Sequence, residues 1–391
     1  MIKSKDRILT THAGSLPRGE PLGTMLIEEE ARKPVDSGKL KEAIEARVSH
    51  VLKKQVEVGI DDVNDGEQGR VGFQTYVPQR MSGFGGTSDR PYGQDWTSFP
   101  QFNERFYQRL PPKIGMVYGA PQAIEDIKYR GTALINAEVE RLNRLGAAVK
   151  PRVADFFMNS ASPGIIATTM LNAYYETYEA YLDAIAREMH TEYSAIVKGG
   201  NILQIDAPDL AMERTMLFQD KSDAEFVKIL EQHVTALNKA LEGIPADRVR
   251  LHVCWGNWEG PHVHDVAMEV ILPTLYQANV GALGLEFGNS RKQHETAALR
   301  KHKLPDQMLL IAGVIDSKSN IVEHPEVVAQ RIEGVVAALG DRERVIAGVD
   351  CGFGTFVGWE WVTEDVVWAK LRTLREGADR ASARLWGKKA A

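Results

Sequence analysis

The chain has 391 residues, of which 43% are hydrophobic and 26% are charged, an ordinary globular composition with enough apolar material for a large core. Its formal net charge of −6 argues against nucleic-acid or anionic-membrane partners, because the chain has no basic field to attract them. No apolar run approaches the roughly 20 residues that span a bilayer, and the first residues contain no apolar signal region. We therefore expect a cytoplasmic protein, in which Cys254 and Cys351 do not form a structural disulfide.

Short apolar or β-branched runs alternate along the chain with longer amphipathic segments. Such alternation predicts a parallel sheet, and eight strands of this kind predict a single (β/α)8 TIM barrel over residues 1–391. The predicted strands are Ile8–Ala13, Asp61–Asn64, Arg152–Phe157, Ile202–Asp206, Arg248–Cys254, Leu283–Phe287, Met308–Val314 and Val345–Asp350. The predicted helices are Leu40–Val58, Ala173–Lys198, Ala224–Leu241, His264–Ala278, Glu326–Leu339 and Glu364–Glu376.

Residues 69–148 interrupt this rhythm and are rich in Gly, Pro and aromatic side chains. We interpret them as an insertion after the second strand. Two roles stay open for it, a lid over the mouth of the barrel and a peripheral dimerisation arm, since long ordered loops are usually functional but not always catalytic.

Potential metal ligands occur at the ends of three predicted strands. His252 and Cys254 are two residues apart in an extended segment, so their side chains point to the same face. Glu286 ends the next strand and Cys351 follows the last one, and in a barrel all these ends converge on one rim. Two thiolates, an imidazole and a carboxylate favour Zn²⁺ over Mg²⁺ or Ca²⁺.

Each of these residues also has a structural interpretation, since a buried Cys is often a small apolar filler and a His in a strand is often a core residue. Their joint position at strand ends favours the metal. Three further histidines, His262, His264 and His294, lie in loop or helix-start contexts without matching partners, and we do not assign them to the site.

The pattern His-x-Cys on one strand, Glu on the next and Asp-Cys-Gly after the last resembles the catalytic barrel of cobalamin-independent methionine synthase and its half-size relatives, including epoxyalkane:coenzyme M transferase. Apart from the insertion, the resemblance covers nearly the whole chain. It implies a zinc-dependent methyltransferase (S-alkyl transferase) that activates a small thiol such as homocysteine as a zinc thiolate, with His252, Cys254, Glu286 and Cys351 as ligands.

Three further segments match the substrate-binding parts of that family. The resemblance implies that Ser15, in Thr10–Arg18, binds the carboxylate of the thiol substrate, and that Glu67 and Asp206 contact its amine. Without the resemblance, turn chemistry is the favoured interpretation of Ser15, and a helix N-cap before Asp209–Met212 is that of Asp206.

The segment after the seventh strand departs from the family. Methionine synthases have Asp-x-His-Ser there, whereas this chain has Asp316-Ser317-Lys318-Ser319. A proton for the leaving group of the donor must come from a nearby acid, and our candidates are His12, Asp316 and Lys318. The aromatic residue that stacks on a folate ring in the family has no counterpart at Ser162–Ile166, so methyltetrahydrofolate is a weaker candidate donor.

The identities of the substrates stay open. The expected partners are a small thiol and a methyl or alkyl donor, such as methyltetrahydrofolate, methylcobalamin or an epoxide, and a corrinoid protein and a homodimer are also open. A sulfonate thiol such as coenzyme M would need cations, which Arg18, Arg70 and Lys318 could supply. Two other classes remain, a metal-independent decarboxylase like uroporphyrinogen decarboxylase, with Arg7 and Arg18 as its cations, and a non-enzymatic metal-binding protein.

Overall fold

The computed structural model describes residues 1–109 and 119–387. Residues 110–118, part of the predicted insertion, lie outside the described residues. The strands are β1 (Leu9–Thr10), β2 (Asp62–Val63), β3 (Met81–Gly85), β4 (Gln122–Tyr129), β5 (Asp155–Ala161), β6 (Ile202–Asp206), β7 (Val249–His252), β8 (Ala282–Glu286), β9 (Leu309–Ile315) and β10 (Val345–Val349).

The helices follow the amphipathic segments of the sequence. They are α1 (Leu22–Glu30), α2 (Ser37–Glu57), α3 (Val77–Arg80), α4 (Gln94–Ser98), α5 (Pro100–Arg109), α6 (Ala133–Gly146), α7 (Pro163–Thr169), α8 (Tyr178–Lys198), α9 (Asp223–Ala240), α10 (Met268–Leu275), α11 (Thr296–Lys301), α12 (Pro325–Leu339) and α13 (Glu364–Leu385). Local chemistry sets their ends. At α9, Ser222 and Glu225 form a reciprocal capping box, and α12 ends at Gly340, whose φ of +81° suits a residue without a Cβ.

Eight strands form one parallel sheet in the order β1-β10-β9-β8-β7-β6-β5-β2. The two edges meet where the Asp61 N–H donates to the Thr10 carbonyl at 3.0 Å, which brings the sheet round into a nearly closed barrel. The predicted TIM-barrel fold is therefore confirmed. Because all eight strands are parallel, their carboxyl ends lie on one rim, where active sites of this fold are built.

Beneath that rim, a group of buried polar side chains around Arg250 lies inside the otherwise apolar barrel. Arg250 is fully buried and donates to Gln204, to the Thr11 hydroxyl and to the His12 carbonyl, while its guanidinium lies 3.5 Å from the centre of the Phe157 ring. Each of its donors thus has a partner, as a buried charge requires.

The segment 69–148 contains both additional and barrel elements. Its strands β3 and β4 pair antiparallel. Helices α4 and α5 lie between these two strands in the chain. Helix α6, at the C-terminal end of the segment, packs against α2 and α8 as a helix of the outer ring does. Among the described residues, no helix is long and apolar enough to cross a membrane.

Candidate active site

Three of the predicted metal ligands meet at the rim of the barrel. His252 ends β7, and Cys254 lies two residues further, where the Val253 N–H donates to the Gly284 carbonyl and keeps the chain extended beside β8. Cys351 lies two residues after β10, and its Sγ is 3.7 Å from that of Cys254. One ligand atom from each residue lies within 4.8 Å of the other two, and all three residues are buried.

This donor set fits a zinc ion. Two sulfurs bound at about 2.3 Å to one tetrahedral zinc lie about 3.8 Å apart, close to the separation of Cys254 and Cys351. The His252 Nε2 is buried and has no hydrogen-bond partner, which is costly unless the atom has another ligand. Both cysteines are free thiols. The residues present therefore suit a borderline-soft divalent ion.

The two thiols influence each other's protonation. The hydrogen bond from Cys351, with a further contribution from His252, holds the pKa of Cys254 well below its ordinary value despite burial. The same hydrogen bond and burial raise the pKa of Cys351. Of the two sulfurs, Cys254 is therefore the more easily ionised, and its thiolate would accept the hydrogen bond of the Cys351 thiol.

Glu286 lies next to this group but is not one of the residues whose ligand atoms come together. It is fully buried, and its Oε2 accepts from the Lys318 ammonium at 2.9 Å and from Asn289 at 2.8 Å. Its Oε1 accepts from the Trp255 N–H at 3.2 Å. Its role as a ligand stays a prediction, and binding an ion would require it to give up part of this hydrogen bonding.

The residues predicted to bind substrate lie beside the sulfurs. Ser15, Glu67 and Asp206 line the same cavity as His252, Cys254 and Cys351. Ser15 packs against Gly352 so closely that a Cβ on that glycine would lie 1.9 Å from the Ser15 hydroxyl.

Glu67 and Asp206 are both buried carboxylates. The Glu67 Oε2 has no hydrogen-bond partner, and the nearest guanidinium, that of Arg18, is 3.9 Å away. Burial and the neighbouring charge of Asp206 raise the pKa of Glu67 to about 8. Asp206 accepts from Asn159 and Gln204, yet burial also raises its pKa. The backbone of Glu67 has a φ of +54°, a strained conformation of the kind that collects at functional sites.

The cavity has a volume of about 420 Å³ and extends from this polar end to an apolar wall. The wall comes from the inserted segment, the loop after β6, the loop after β7 and the loop after β10: Phe73, Trp96, Met212, Met216, Trp258, Phe356 and Trp359. Asn257 joins two of these loops by donating to the Gly352 carbonyl at 2.8 Å and to the Thr355 hydroxyl. The sequence analysis assigned no role to Asn257. The aromatic content of the insertion was the one signal for this wall, since a lid over the mouth of the barrel was one of its two open roles.

The three predicted proton donors lie outside the residues that line this cavity. His12 is buried within the barrel, where its Nε2 lies 2.7 Å from Gln55 Oε1 and its Nδ1 accepts from the Gly14 N–H. Asp316 accepts from the Lys318 N–H and from Ser319 in its own loop. The catalytic roles of His12, Asp316 and Lys318 stay predictions.

Burial would lower the pKa of the Lys318 ammonium, but the carboxylates of Glu286 and Asp350 outweigh burial and raise it. Lys318 therefore stays charged at neutral pH. The other two cations considered for a sulfonate are also engaged. Arg18 donates to the carbonyls of Leu16, Gly354 and Arg70, and Arg70 donates to Glu138 and to the Asn159 carbonyl.

The fold is a parallel barrel with His252, Cys254 and Cys351 together at its carboxyl rim, a ligand set that could hold a soft metal ion. A family model described as the catalytic domain of cobalamin-independent synthase matches residues 167–376. Since the match covers more than half of the chain, this protein belongs to the cobalamin-independent methionine synthase family.

Several relatives are similar over most of their length. The chain is 24% identical to the 2-hydroxypropyl-CoM lyase of Xanthobacter autotrophicus over 378 residues, which covers 88% of this chain and 87% of that protein. It is also 24% identical to the methionine synthase of Thermococcus kodakarensis over 346 residues, with 88% and 86% covered. A solved B12-independent methionine synthase from a Shewanella species, in complex with selenomethionine, shares the fold with a TM-score of 0.72 at 19% identity, covering 97% of this chain and 99% of its own.

Proposed function

We propose that this protein is a zinc-dependent enzyme that transfers a methyl or other alkyl group to the sulfur of a small amino-acid thiol such as homocysteine. One observation carries the proposal. The buried group of His252, Cys254 and Cys351 lines the same cavity as the carboxylates of Glu67 and Asp206. Among the described residues, the only cation within ion-pair distance of these two carboxylates is Arg18, 3.9 Å from Glu67. The cavity is thus suited to a ligand that has sulfur at one end and an ammonium group at the other.

His252, Cys254 and Cys351 would hold the zinc ion. When bound, the ion lowers the pKa of a coordinated thiol, so that the nucleophilic thiolate forms near neutral pH. Three protein ligands would leave a fourth position for substrate, as in catalytic zinc sites. We further propose that Lys318 acts on Glu286 rather than on substrate, because it pairs with that carboxylate at 2.9 Å and does not line the cavity.

Glu67 and Asp206 would bind the ammonium group of the thiol substrate. Their carboxylates are desolvated and repel each other. A cation bound between them would therefore stabilise their ionised forms. Ser15, on the same wall, would bind the carboxylate of the substrate. With both ends of the backbone of the amino acid held, its side chain would direct the sulfur towards the cysteines.

The donor would occupy the apolar side of the cavity. Trp96 of α4 and Trp258 of the loop after β7 pack against each other with ring centres 4.6 Å apart and ring planes inclined by 53°, which closes this side with aromatic surface. We propose that the inserted segment is a lid that excludes water from the nucleophile, since a desolvated thiolate is more reactive and less exposed to side reactions.

A sulfonate thiol such as coenzyme M has less support as the acceptor. Arg18, Arg70 and Lys318 are all buried against other partners, and none of them lines the cavity. The decarboxylase alternative has no support in the contacts of Arg7, which pairs with Asp61 near the start of β2. A purely structural metal site would need a fourth protein ligand, and the two oxygens of Glu286 are already engaged.

The test combines metal analysis with an activity panel. Purified wild type, loaded with zinc, is expected to hold one equivalent more than Cys351→Ser, and Cys351→Ser is expected to lose the thiol-dependent activity. Glu286→Gln is the matched control at the fourth predicted ligand. It is expected to keep the zinc, because Glu286 is not one of the residues whose ligand atoms come together. The panel pairs homocysteine and coenzyme M with methyltetrahydrofolate, methylcobalamin and epoxypropane. Full activity in zinc-free protein, or full zinc and activity in Cys351→Ser, would refute the proposal.

A further inference from the structure

A second group of potential metal ligands lies where the inserted segment contacts the barrel. It consists of Asp95 in α4 and of His262 and Asp265 in the loop between β7 and α10, and one ligand atom of each lies within 4.8 Å of the other two. No matching partner for His262 was evident from the sequence, because Asp95 is 167 positions away in the chain (262 − 95). None of the three belongs to the group formed by His252, Cys254 and Cys351.

The hydrogen bonds of His262 orient a lone pair towards this group. Its Nε2 lies 3.1 Å from the Trp258 carbonyl, which can only accept, so the Nε2 must carry the proton. In the neutral ring the Nδ1 then has a free lone pair, and that atom lies 3.3 Å from the Asp265 Oδ1, which is also an acceptor. Two acceptors face each other in this tautomer, and the contact becomes favourable when a metal ion binds beside them or a proton occupies the Nδ1. Metal-bound histidines commonly have this arrangement, with the other ring nitrogen donating to a carbonyl.

Asp95 supplies the second, independent observation. Its side chain is only 2% exposed, and its Oδ1 is buried without a hydrogen-bond partner among residues 1–109 and 119–387. The nearest cationic candidate is His264, whose Nε2 is 3.9 Å away and hydrogen-bonded to Ser98. An unpaired buried carboxylate is costly and calls for a ligand.

The cations near Asp95 in the described part of the chain do not balance its negative charge. Lys292 lies 3.1 Å from Asp265 and 3.3 Å from Glu295, so its single positive charge is shared between two carboxylates. Its ammonium also lies over the Trp255 ring, 4.0 Å from the centre, and among the described residues it forms no ion pair with Asp95. The group of Asp95, Asp265 and Glu295 is therefore short of positive charge.

We propose that Asp95, His262 and Asp265 bind a second divalent cation, of the Mn²⁺ or Zn²⁺ type that accepts oxygen and nitrogen ligands. Two carboxylates and one imidazole, without sulfur, distinguish this site from the cysteine site and make it accessible to harder ions. The cation would join the inserted segment to the barrel loop and thereby fix the contact between Trp96 and Trp258 in the cavity wall.

Titration of the zinc-loaded full chain with Mn²⁺, followed by the electron paramagnetic resonance signal of free Mn²⁺, tests this inference. One Mn²⁺ per chain is expected to bind, and Asp95→Asn is expected to weaken binding at least tenfold. The exposed Asp220→Asn changes the charge equally and should leave binding unchanged. Cys351→Ser should also retain Mn²⁺, so loss of the catalytic zinc does not affect this test.

Several results would overturn the inference. Failure of the wild type to bind either Mn²⁺ or a second equivalent of Zn²⁺ is one, and binding that Asp95→Asn leaves unchanged is another. A nitrogen NMR spectrum in which His262 is doubly protonated, in protein that binds no second ion, would show that a proton occupies the position instead. If Asp95→Asn does not fold, His262→Gln, which removes the Nδ1 ligand, provides the same comparison. Slower proteolysis of residues 93–98 on addition of Mn²⁺ would be the expected structural consequence.

Discussion

Replacement of Glu67 by Gln is expected to stabilise the substrate-free protein and to weaken its binding of an amino thiol. Glu67→Gln keeps the shape of the side chain, and its carboxylate makes no hydrogen bond through Oε2 that the amide would break. The folded-state pKa of about 8 lies above the ordinary value of 4.5. A raised carboxyl pKa means that stability is fully present below pH 4.5 and is lost as the pH rises towards 8.

The magnitude follows from the size of that shift. At pH 7.5 the cost of the buried carboxyl is about 4 kcal/mol, from roughly three pH units at 1.36 kcal/mol each. Glu67→Gln removes that cost, so its free energy of unfolding should exceed that of the wild type at pH 7.5 and match it near pH 4. Loss of a charge-assisted hydrogen bond to the ligand ammonium costs about 1.5–3 kcal/mol, which weakens binding roughly 10- to 150-fold.

Titration calorimetry of the zinc-loaded protein measures both effects on binding. L-homocysteine and 4-mercaptobutanoate differ only in the amine, so only the first should lose affinity in Glu67→Gln. Because Glu67 must ionise to pair with the ammonium, the wild type should release up to one proton more than the variant, seen as a difference between phosphate and Tris buffers. Equal weakening of both ligands, or identical proton release, would refute the role of Glu67 in binding the amine.

Two further predictions concern buried charges away from the substrate. Lys318→Met leaves the Glu286 carboxylate buried without its cation and should destabilise the protein by about 3–5 kcal/mol in chemical denaturation, while adding Glu286→Gln should recover most of the loss. A single variant as stable as the wild type would contradict this. Burial, reinforced by Arg250, lowers the pKa of His12 to about 4 from 6.5, so the stability it contributes is present above pH 6.5 and is lost as the pH falls towards 4. His12→Gln should therefore lose about 3 kcal/mol less than the wild type between pH 7 and 4, and an unchanged slope would count against this.

The sequence predicted the barrel and the meeting of Cys254 with Cys351, because both follow from periodicity and from the geometry of parallel strands. It did not reveal helix α6 within residues 69–148, although Ile135, Val139 and Leu142 recur at helical spacing and are buried. The Gly- and aromatic-rich residues before it hid that signal.

Side-chain pairing was less accessible to sequence reasoning than the fold. The sequence places Glu286 and Lys318 on neighbouring strand ends, but only the packed structure decides that their charges neutralise each other rather than face the cavity. The partnership of Asp95 with His262 was hidden for the same reason, since the path of an inserted segment over a barrel is not set by local propensity.

The distribution of paired and unpaired charges separates structural residues from those that await a ligand. Arg70, Arg80, Glu138 and Glu192 form a buried network in which each charge has a partner within 2.8 Å. There the two guanidiniums outweigh the effect of burial and lower the pKa of Glu138 to about 2. The charges of this network neutralise one another, so it needs no ligand from outside.

Glu67 and Asp95 are buried to the same degree, but each has a carboxylate oxygen without a hydrogen bond. Evolution would readily replace such a residue by its amide if stability were the only constraint, since the amide carries no charge to desolvate. Each unpaired carboxylate also points to a region where other acceptors converge, Asp206 in one case and Asp265 with the His262 Nδ1 in the other. The cost of both is therefore best explained by cations that bind there, an ammonium group at Glu67 and a metal ion at Asp95.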